Sequence, residues 1–403
     1  MESAYGGEGR WLEGEAKRLA GVTKRPERTW DWLMLTRGKW NWEVNEDREY
    51  VLRGMMEFHN LSQRREIFVP EVDARVKLLG EIPTKNFKTS VKLIPRHTGG
   101  YDQVTNARKD GYWPAFILVA NSKTSMEVEL QITSEGESLR SLESAWIRLD
   151  YISYGPHGRI PKEQHVVLPL RFPLYEEEHG ASWLDRTRCS VLPIKTHLLT
   201  HLDDPNGIFD KYVKHHYQPG DILAIGETPL AIMQGRTRHP ETVRPGILAR
   251  MACLLFHPTS SLATACGMQA LIDSVGKTRI IMAVFIGALF KIVGRGGYFY
   301  RVAGDQAALI DDVTGTLPPY DQFISYGPVN VQSTVDDMQK NTGCEVAIVD
   351  VNDLSKYTGA VRILGASSGV DSAFLKESLL DNPAGNADQQ TPFVLIRKKG
   401  KEE

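Results

Sequence analysis

Short apolar runs of strand formers, broken by polar turn residues, fill residues 49–173, and the pattern becomes mixed α/β farther along the chain. Runs rich in β-branched and aromatic residues occupy 50–59, 66–79, 91–94, 115–120, 127–132, 145–152 and 165–172, separated by Gly, Pro, Asn and Ser clusters. Arg64 and Arg65 mark the first break, and 126–132 alternates as a half-buried strand should. About seven short strands at even spacing with no helical pattern predict an antiparallel β-sandwich, of immunoglobulin-like type, over residues 46–175. No paired acid and base and no metal-ligand spacing occur here, so the sandwich reads as an accessory domain. Ahead of it, residues 1–45 form a Gly- and charge-rich arm with Trp30, Trp32, Trp40 and Trp42. Each W-x-W pair puts both rings on one face of an extended chain, which serves either packing on a sheet or an exposed interaction surface.

An acidic stretch at 175–180 (YEEEHG) marks a domain boundary, and residues 190–398 then read as mixed α/β. Strands are expected at 190–194, 221–226, 345–349 and 392–397, with helices at 208–216, 247–256, 262–275 and 334–341, the last closed by Gly343. Tyr298, Phe299 and Tyr300 are expected to form an aromatic strand. The most apolar run, 280–290, is interrupted by Gly287 and closed by Lys291; at about half the length that crosses a bilayer, it is expected to be a core element. The pentapeptide Ile-Ser-Tyr-Gly-Pro occurs at 152–156 and at 324–328 with unmatched flanks, a turn used twice rather than a repeat.

Composition narrows the class. With 403 residues, 41% hydrophobic and 24% charged, the chain has the makings of two globular domains and not of a disordered protein. A net charge of −2 gives no global signal for nucleic acid or an acidic membrane surface. Cys189, Cys253, Cys266 and Cys344 show no CxxC spacing and read as reduced thiols, which favours a cytoplasmic setting; the N-terminus lacks the basic-then-apolar order of a secretory signal.

Candidate chemistry gathers in the second half. Residues 296–328 hold the pair Asp311 and Asp312, flanked by Asp305 and Asp321 and followed by Pro318-Pro319. Carboxylates set close together repel unless a cation, a basic partner or water screens them, so the stretch is either a divalent-cation site or a solvated Asp-rich turn. Three expected strand ends carry polar residues: Lys195-Thr196, Glu227, and Asp350 with Asn352. Ligands collect at such carboxyl ends in α/β sheets, although Asp350-x-Asn352 also suits an ordinary Asx turn. Ser274–Thr278 (SVGKT) echoes the end of a phosphate-binding P-loop, but Leu271 stands where that loop needs glycine, and no strand precedes it.

Taken in order, PIKTHLL, GDILAIGETPLAIMQGR, AGDQAALIDD and VAIVDVND resemble the coenzyme F420-0:gamma-glutamyl ligase family over roughly the last 210 residues. The resemblance implies a ligase-like α/β domain that adds glutamate to a small-molecule carboxylate with GTP or ATP as co-substrate and divalent Mg or Mn, through an acyl phosphate. By position it implies metal ligands at Asp311, Asp312 and Asp350. It also implies Lys195 and Arg236 as catalytic groups, and Thr196, Gly235 and Asn352 beside the nucleotide or substrate. Family members commonly form homodimers; no nucleic-acid partner and no membrane span is implied. Two departures stand out: Ala231-Ile232 replaces the family's Ser-Lys, and Asp353-Leu354 replaces its Gly-Arg. With those cations lost, the alternative is a ligase fold that has given up catalysis and serves as a binding or scaffolding module.

Overall fold

The computed structural model describes residues 32–45, 49–97, 108, 110–134, 136–173, 183–295, 297–312, 316–351, 361–385 and 389–399. The chain divides into two compact units, one running to Leu170 and taking in Leu271–Ile281, the other made of Arg171–Ala270 and Met282–Glu403.

Strands of the first unit are β1 (Leu33–Leu35), β2 (Lys39–Asn45), β3 (Glu49–Asn60), β4 (Ile67–Val69), β5 (Val72–Gly80), β6 (Phe87–Arg96), β7 (Phe116–Leu118), β8 (Lys123–Ser134), β9 (Leu142–Gly155) and β10 (Gly158–Pro169). They form two five-stranded antiparallel sheets, β1-β3-β8-β6 with β2 on β3, and β10-β9-β4-β7 with β5 on β9. The alternation read from sequence is what builds them. On β8 the side chains of Met126, Val128, Leu130 and Ile132 are wholly buried, while Glu127 and Glu129 between them pair with Arg96, Arg53 and Lys92. Rings join the two sheets: Phe58 on β3 meets Tyr151 on β9 edge to face at 5.4 Å. The run expected at 66–79 is two strands, because Pro70 cannot donate to a ladder. Trp40 is buried, its ring lying where a Cβ on Gly54 would be, and Trp42 donates its indole N–H to the Pro169 carbonyl. These tryptophans are therefore packing groups; Trp30 lies outside the described residues.

The second unit is built on a six-stranded sheet ordered β11 (Leu184–Asp185), β12 (Cys189–Ile194), β19 (Phe393–Lys398), β13 (Ile222–Gly226), β17 (Glu345–Asp350) and β18 (Arg362–Ala366). Only β13 and β17 run parallel within it. A small sheet of β14 (Thr237–Arg238), β16 (Ile324–Ser325) and β15 (Asp311–Asp312) stands beside it in the chain's second half. In chain order the helices are α1 (Pro205–Ile208), α2 (Glu227–Met233), α3 (Ile247–Ala252), α4 (Ala265–Val275), α5 (Lys277–Ile292), α6 (Tyr298–Ala303), α7 (Gln306–Leu309), α8 (Val331–Thr342) and α9 (Ser372–Leu379). Successive residues of the central strands serve opposite faces of the six-stranded sheet. Leu223, Ile225, Val346 and Ile348 pack with Leu230 of α2 and Met338 of α8, whereas Ile222, Ala224, Ala347 and Val349 pack with Phe374 and Leu379 of α9. Both faces are thus covered, which is why these strands read as continuous apolar runs.

Two expectations fail here. Tyr298–Tyr300 is not a strand but the start of α6, opened by Gly297 at φ 83° and buried through Phe299 and Ala303, an i,i+4 pair. The apolar run 280–290 does form one element, α5, yet only part of it is core. Ile280 and Ala283 are fully buried, but Met282, Phe285 and Leu289 are 53%, 71% and 55% exposed. Among the described residues no helix is long and apolar enough to cross a membrane.

Candidate active site

The parallel register of β13 on β17 sets Gly226 beside Val349, so the next residues, Glu227 and Asp350, leave the sheet together at the carboxyl ends of both strands. Glu227 is also the first residue of α2, and Asp350 faces Arg362 across the β17–β18 ladder. The third carboxylate arrives from β15. Asp311 and Asp312 are adjacent in an extended segment, and their side chains therefore point to opposite sides. Asp311 turns into a cleft of about 560 Å³ that Glu227 and Asp350 also line; Asp312 does not line it. Asp312 accepts hydrogen bonds from the Thr264 hydroxyl and the Gly267 N–H. A Cβ on Gly267 would stand 2.3 Å from the Ser261 carbonyl and 3.1 Å from the Asp312 carboxylate, so this approach is open to glycine alone.

The electrostatics of the cleft are those of unneutralised acid. Burial pushes the Glu227 carboxyl up to about 9, with the charges of Asp350 and Asp311 adding to the rise and Arg362 opposing it. Asp311 is raised by burial and then by Asp350, against a hydrogen bond from Ser261. Asp350 is raised by burial, and Arg362 opposes the rise. Arg362 also donates to the exposed Asp305 at 2.7 Å. One carboxylate oxygen of Glu227, Oε2, is buried with no hydrogen-bond partner. A buried acid oxygen without a donor is costly, and a proton or a cation is what relieves it.

Other residues singled out in the sequence fall in several places. Thr196 lines the cleft, buried, with its hydroxyl donating to the His197 carbonyl and its N–H to the Gln390 carbonyl. Lys195 is exposed and is not among the lining residues. Arg236 is buried and donates to the Gly327 carbonyl at 2.7 Å and to Gln306 at 3.2 Å, bracing the 236–238 strand segment instead of facing the cleft. Gly235 takes φ 66° in the turn just before it. Asn352, with Asp353 and Leu354, lies outside the described residues. Asp305 is exposed beside Arg362. From the sequence Glu227 stands out only as a polar strand end, unconnected to the aspartates; its place directly after a buried apolar run is the available signal. His197, which follows the 190–194 strand in the motif PIKTHLL, carries no assigned role in the sequence. That ring lines the cleft while its Nε2 meets Asp203 at 2.9 Å and its Nδ1 meets the Tyr212 hydroxyl at 2.8 Å, so both nitrogens are used in holding the rim.

Residues 34–172 match the family model described as F420-0:gamma-glutamyl ligase, N-terminal Ig-like domain. The match covers about a third of the chain and ends before the cleft begins. No curated protein matches the chain. Among solved structures, the chain is similar to a yeast GGA1 GAE domain at 14% identity, covering 36% of this chain and 96% of that one with a TM-score of 0.19. A PapD-like domain of human CEP192 is similar at 9% identity, covering 36% and 87%, with a TM-score of 0.18. The family match is thus confined to residues 34–172, almost all of them in the first unit.

Proposed function

We propose that the chain is a nucleotide- and divalent-metal-dependent amide ligase of the gamma-glutamyl type, joining an amino acid such as glutamate to a carboxylate substrate by way of an acyl phosphate. The observation that carries this reading is that Glu227, Asp311 and Asp350 line one cleft, with a buried Glu227 oxygen that has no donor. Carboxylate oxygens are the ligand type that a hard cation such as Mg or Mn takes, and Glu227, Asp311 and Asp350 are the residues we propose would hold it. Bound there, the ion would neutralise phosphate oxygens. The protein's own groups do the rest. Thr196, Thr228 and Thr316 line the same cleft and present hydroxyls and backbone to substrate, and the volume of about 560 Å³ suits a small-molecule site. His197 keeps the rim in place through its two hydrogen bonds. In this reading the two sheets of the first unit are an immunoglobulin-like sandwich that accompanies the ligase domain, which the 34–172 match supports. A cytoplasmic setting agrees with four free cysteines.

One observation favours a second reading, in which the fold has given up catalysis and binds or scaffolds. Among the described residues the lining of the cleft contains no lysine or arginine, and Arg236 is spent on Gly327. Triphosphate would then rest on metal, hydroxyls and backbone alone. Thermal stability with Mn²⁺ plus GTP or ATP separates the two. A ligand at a hundred times its dissociation constant adds about 2.7 kcal/mol to the folded state, and Asp350→Ala should abolish that shift. Release of inorganic phosphate on adding glutamate and a carboxylate acceptor would complete the case. The absence of any shift with every nucleotide–metal pair would leave the scaffold reading.

A further inference from the structure

The small sheet that carries Asp311 has two residues in each strand, and its register decides which side chains stand together. Ser325 of β16 lies directly opposite Asp311 of β15 on one side and Thr237 of β14 on the other. Directly opposed residues of an antiparallel pair share a face, with Cβ atoms about 4.5–5.5 Å apart. Thr237, Ser325 and Asp311 therefore form a polar file on one face, while Arg238, Ile324 and Asp312 take the other. The file ends at the cleft, which Asp311 lines. Ser325 itself is 2% exposed, and its hydroxyl has no hydrogen-bond partner among the described residues. A buried hydroxyl without a partner costs stability that alanine in its place would spare.

We propose that Ser325 is a positioning residue for Asp311: in the cation-loaded protein its hydroxyl donates to the Asp311 carboxylate and so fixes which oxygen faces the cleft. This rests on the divalent-metal reading above. A carboxylate accepts about four hydrogen bonds, so the donor that Asp311 already has, Ser261, leaves room for a second. A cross-strand pair at this spacing is within reach of such a bond. Other buried hydroxyls of the neighbourhood are placed differently. Thr237 stands two strand spacings, about 10 Å, from Asp311, too far to bond it directly. Thr264 donates to Asp312, which does not line the cleft. Groups that hydrogen-bond a ligating carboxylate set its orientation, and losing one typically weakens metal binding by about ten- to a hundredfold. The cost of an unpartnered hydroxyl in the fold is thus matched to a use in binding.

Two measurements on the full chain test it: calorimetric titration with Mn²⁺ at neutral pH, and urea melts of protein stripped with EDTA. Ser325→Ala should weaken Mn²⁺ binding by about tenfold or more, while its metal-free melt keeps the parent's midpoint or moves to higher urea. Ser325→Thr, which restores a hydroxyl, should recover most of the affinity. Should the added methyl disturb the fold, Ser325→Cys decides, because it keeps the size of serine with only a weak donor. It should bind Mn²⁺ as weakly as Ser325→Ala. A parent that takes up Mn²⁺ while Ser325→Ala binds it equally well overturns this assignment and leaves the metal reading standing. A parent that takes up no Mn²⁺ overturns both. Parent-like binding by Ser325→Cys, or a Ser325→Thr that folds normally but binds as Ser325→Ala does, overturns the role of the hydroxyl. A Ser325→Ala whose metal-free melt falls to lower urea makes Ser325 a folding residue and overturns it as well.

Discussion

The first unit and the cleft treat the same side chain in opposite ways. On the sheets of the first unit, Glu57 is held down to about 2 by a hydrogen bond from His59 and by Lys123 at 2.9 Å, and Glu129 is lowered by Lys92 and Arg53. In the cleft, Glu227 is pushed up to about 9, and Asp311 and Asp350 also rise. The difference is the presence of a partner. Every sheet carboxylate named here has a cation within reach, so its charge adds to stability; the cleft acids have one another and a half-engaged Arg362. A protein gains nothing for its fold from such a cluster, which is the ground on which we propose a ligand site there.

Five measurements break or sharpen that contrast. The largest effect is expected for Glu227→Gln, which should weaken Mn²⁺ binding by at least about tenfold to a hundredfold while leaving the metal-free protein at pH 8 more stable than the parent. A metal-free variant that is less stable would undo the comparison. Next comes the pH dependence of the cation itself. A cation entering the cleft displaces the Glu227 proton, so its apparent affinity should rise about tenfold per pH unit between pH 6 and 8, read by calorimetry, and should flatten in Glu227→Gln. The same shift works on stability. The Glu227 carboxyl titrates higher in the folded than in the unfolded chain, so its contribution is full below about 4.5 and is lost as pH climbs toward 9; urea melts of metal-free protein should show this fall.

Smaller effects belong to the paired acids. Glu57→Gln should cost about 1–3 kcal/mol at pH 7, because it leaves Lys123 and His59 without their acceptor. Since the Glu57 pKa is depressed, its contribution is present above about 4.5 and is lost as pH falls toward 2, the reverse of Glu227. The smallest is Lys92→Ala. That lysine is 64% exposed, so removing it should change stability by less than about 1 kcal/mol and by less still in high salt.

Much of this was open to reading before any coordinates. A period of two exposes strands directly, and β8 follows it residue by residue. Buried apolar runs that end in an acid point to β13 and β17, and so to Glu227 and Asp350. The aromatic segment at Tyr298–Tyr300 was misread because three rings in a row suit a strand by propensity, while burial of Phe299 and Ala303 makes it a helix. Helix α5 was misread for a different reason: an apolar pattern says which residues avoid water, not which side of the element has found cover.

What the chain's order of residues decides alone is therefore local: where strands and helices fall, which residues are apolar, and that acids stand at strand ends. Tertiary structure decided which acids share a space. The parallel register of β13 on β17 sets Glu227 beside Asp350 across a separation of more than a hundred residues, and the two-fold period of β15 sends Asp311 into the cleft and Asp312 away from it. Such placement depends on pairing between distant strands, whose partner and register are fixed by burial on both faces of a sheet and not by any property of the neighbouring residues.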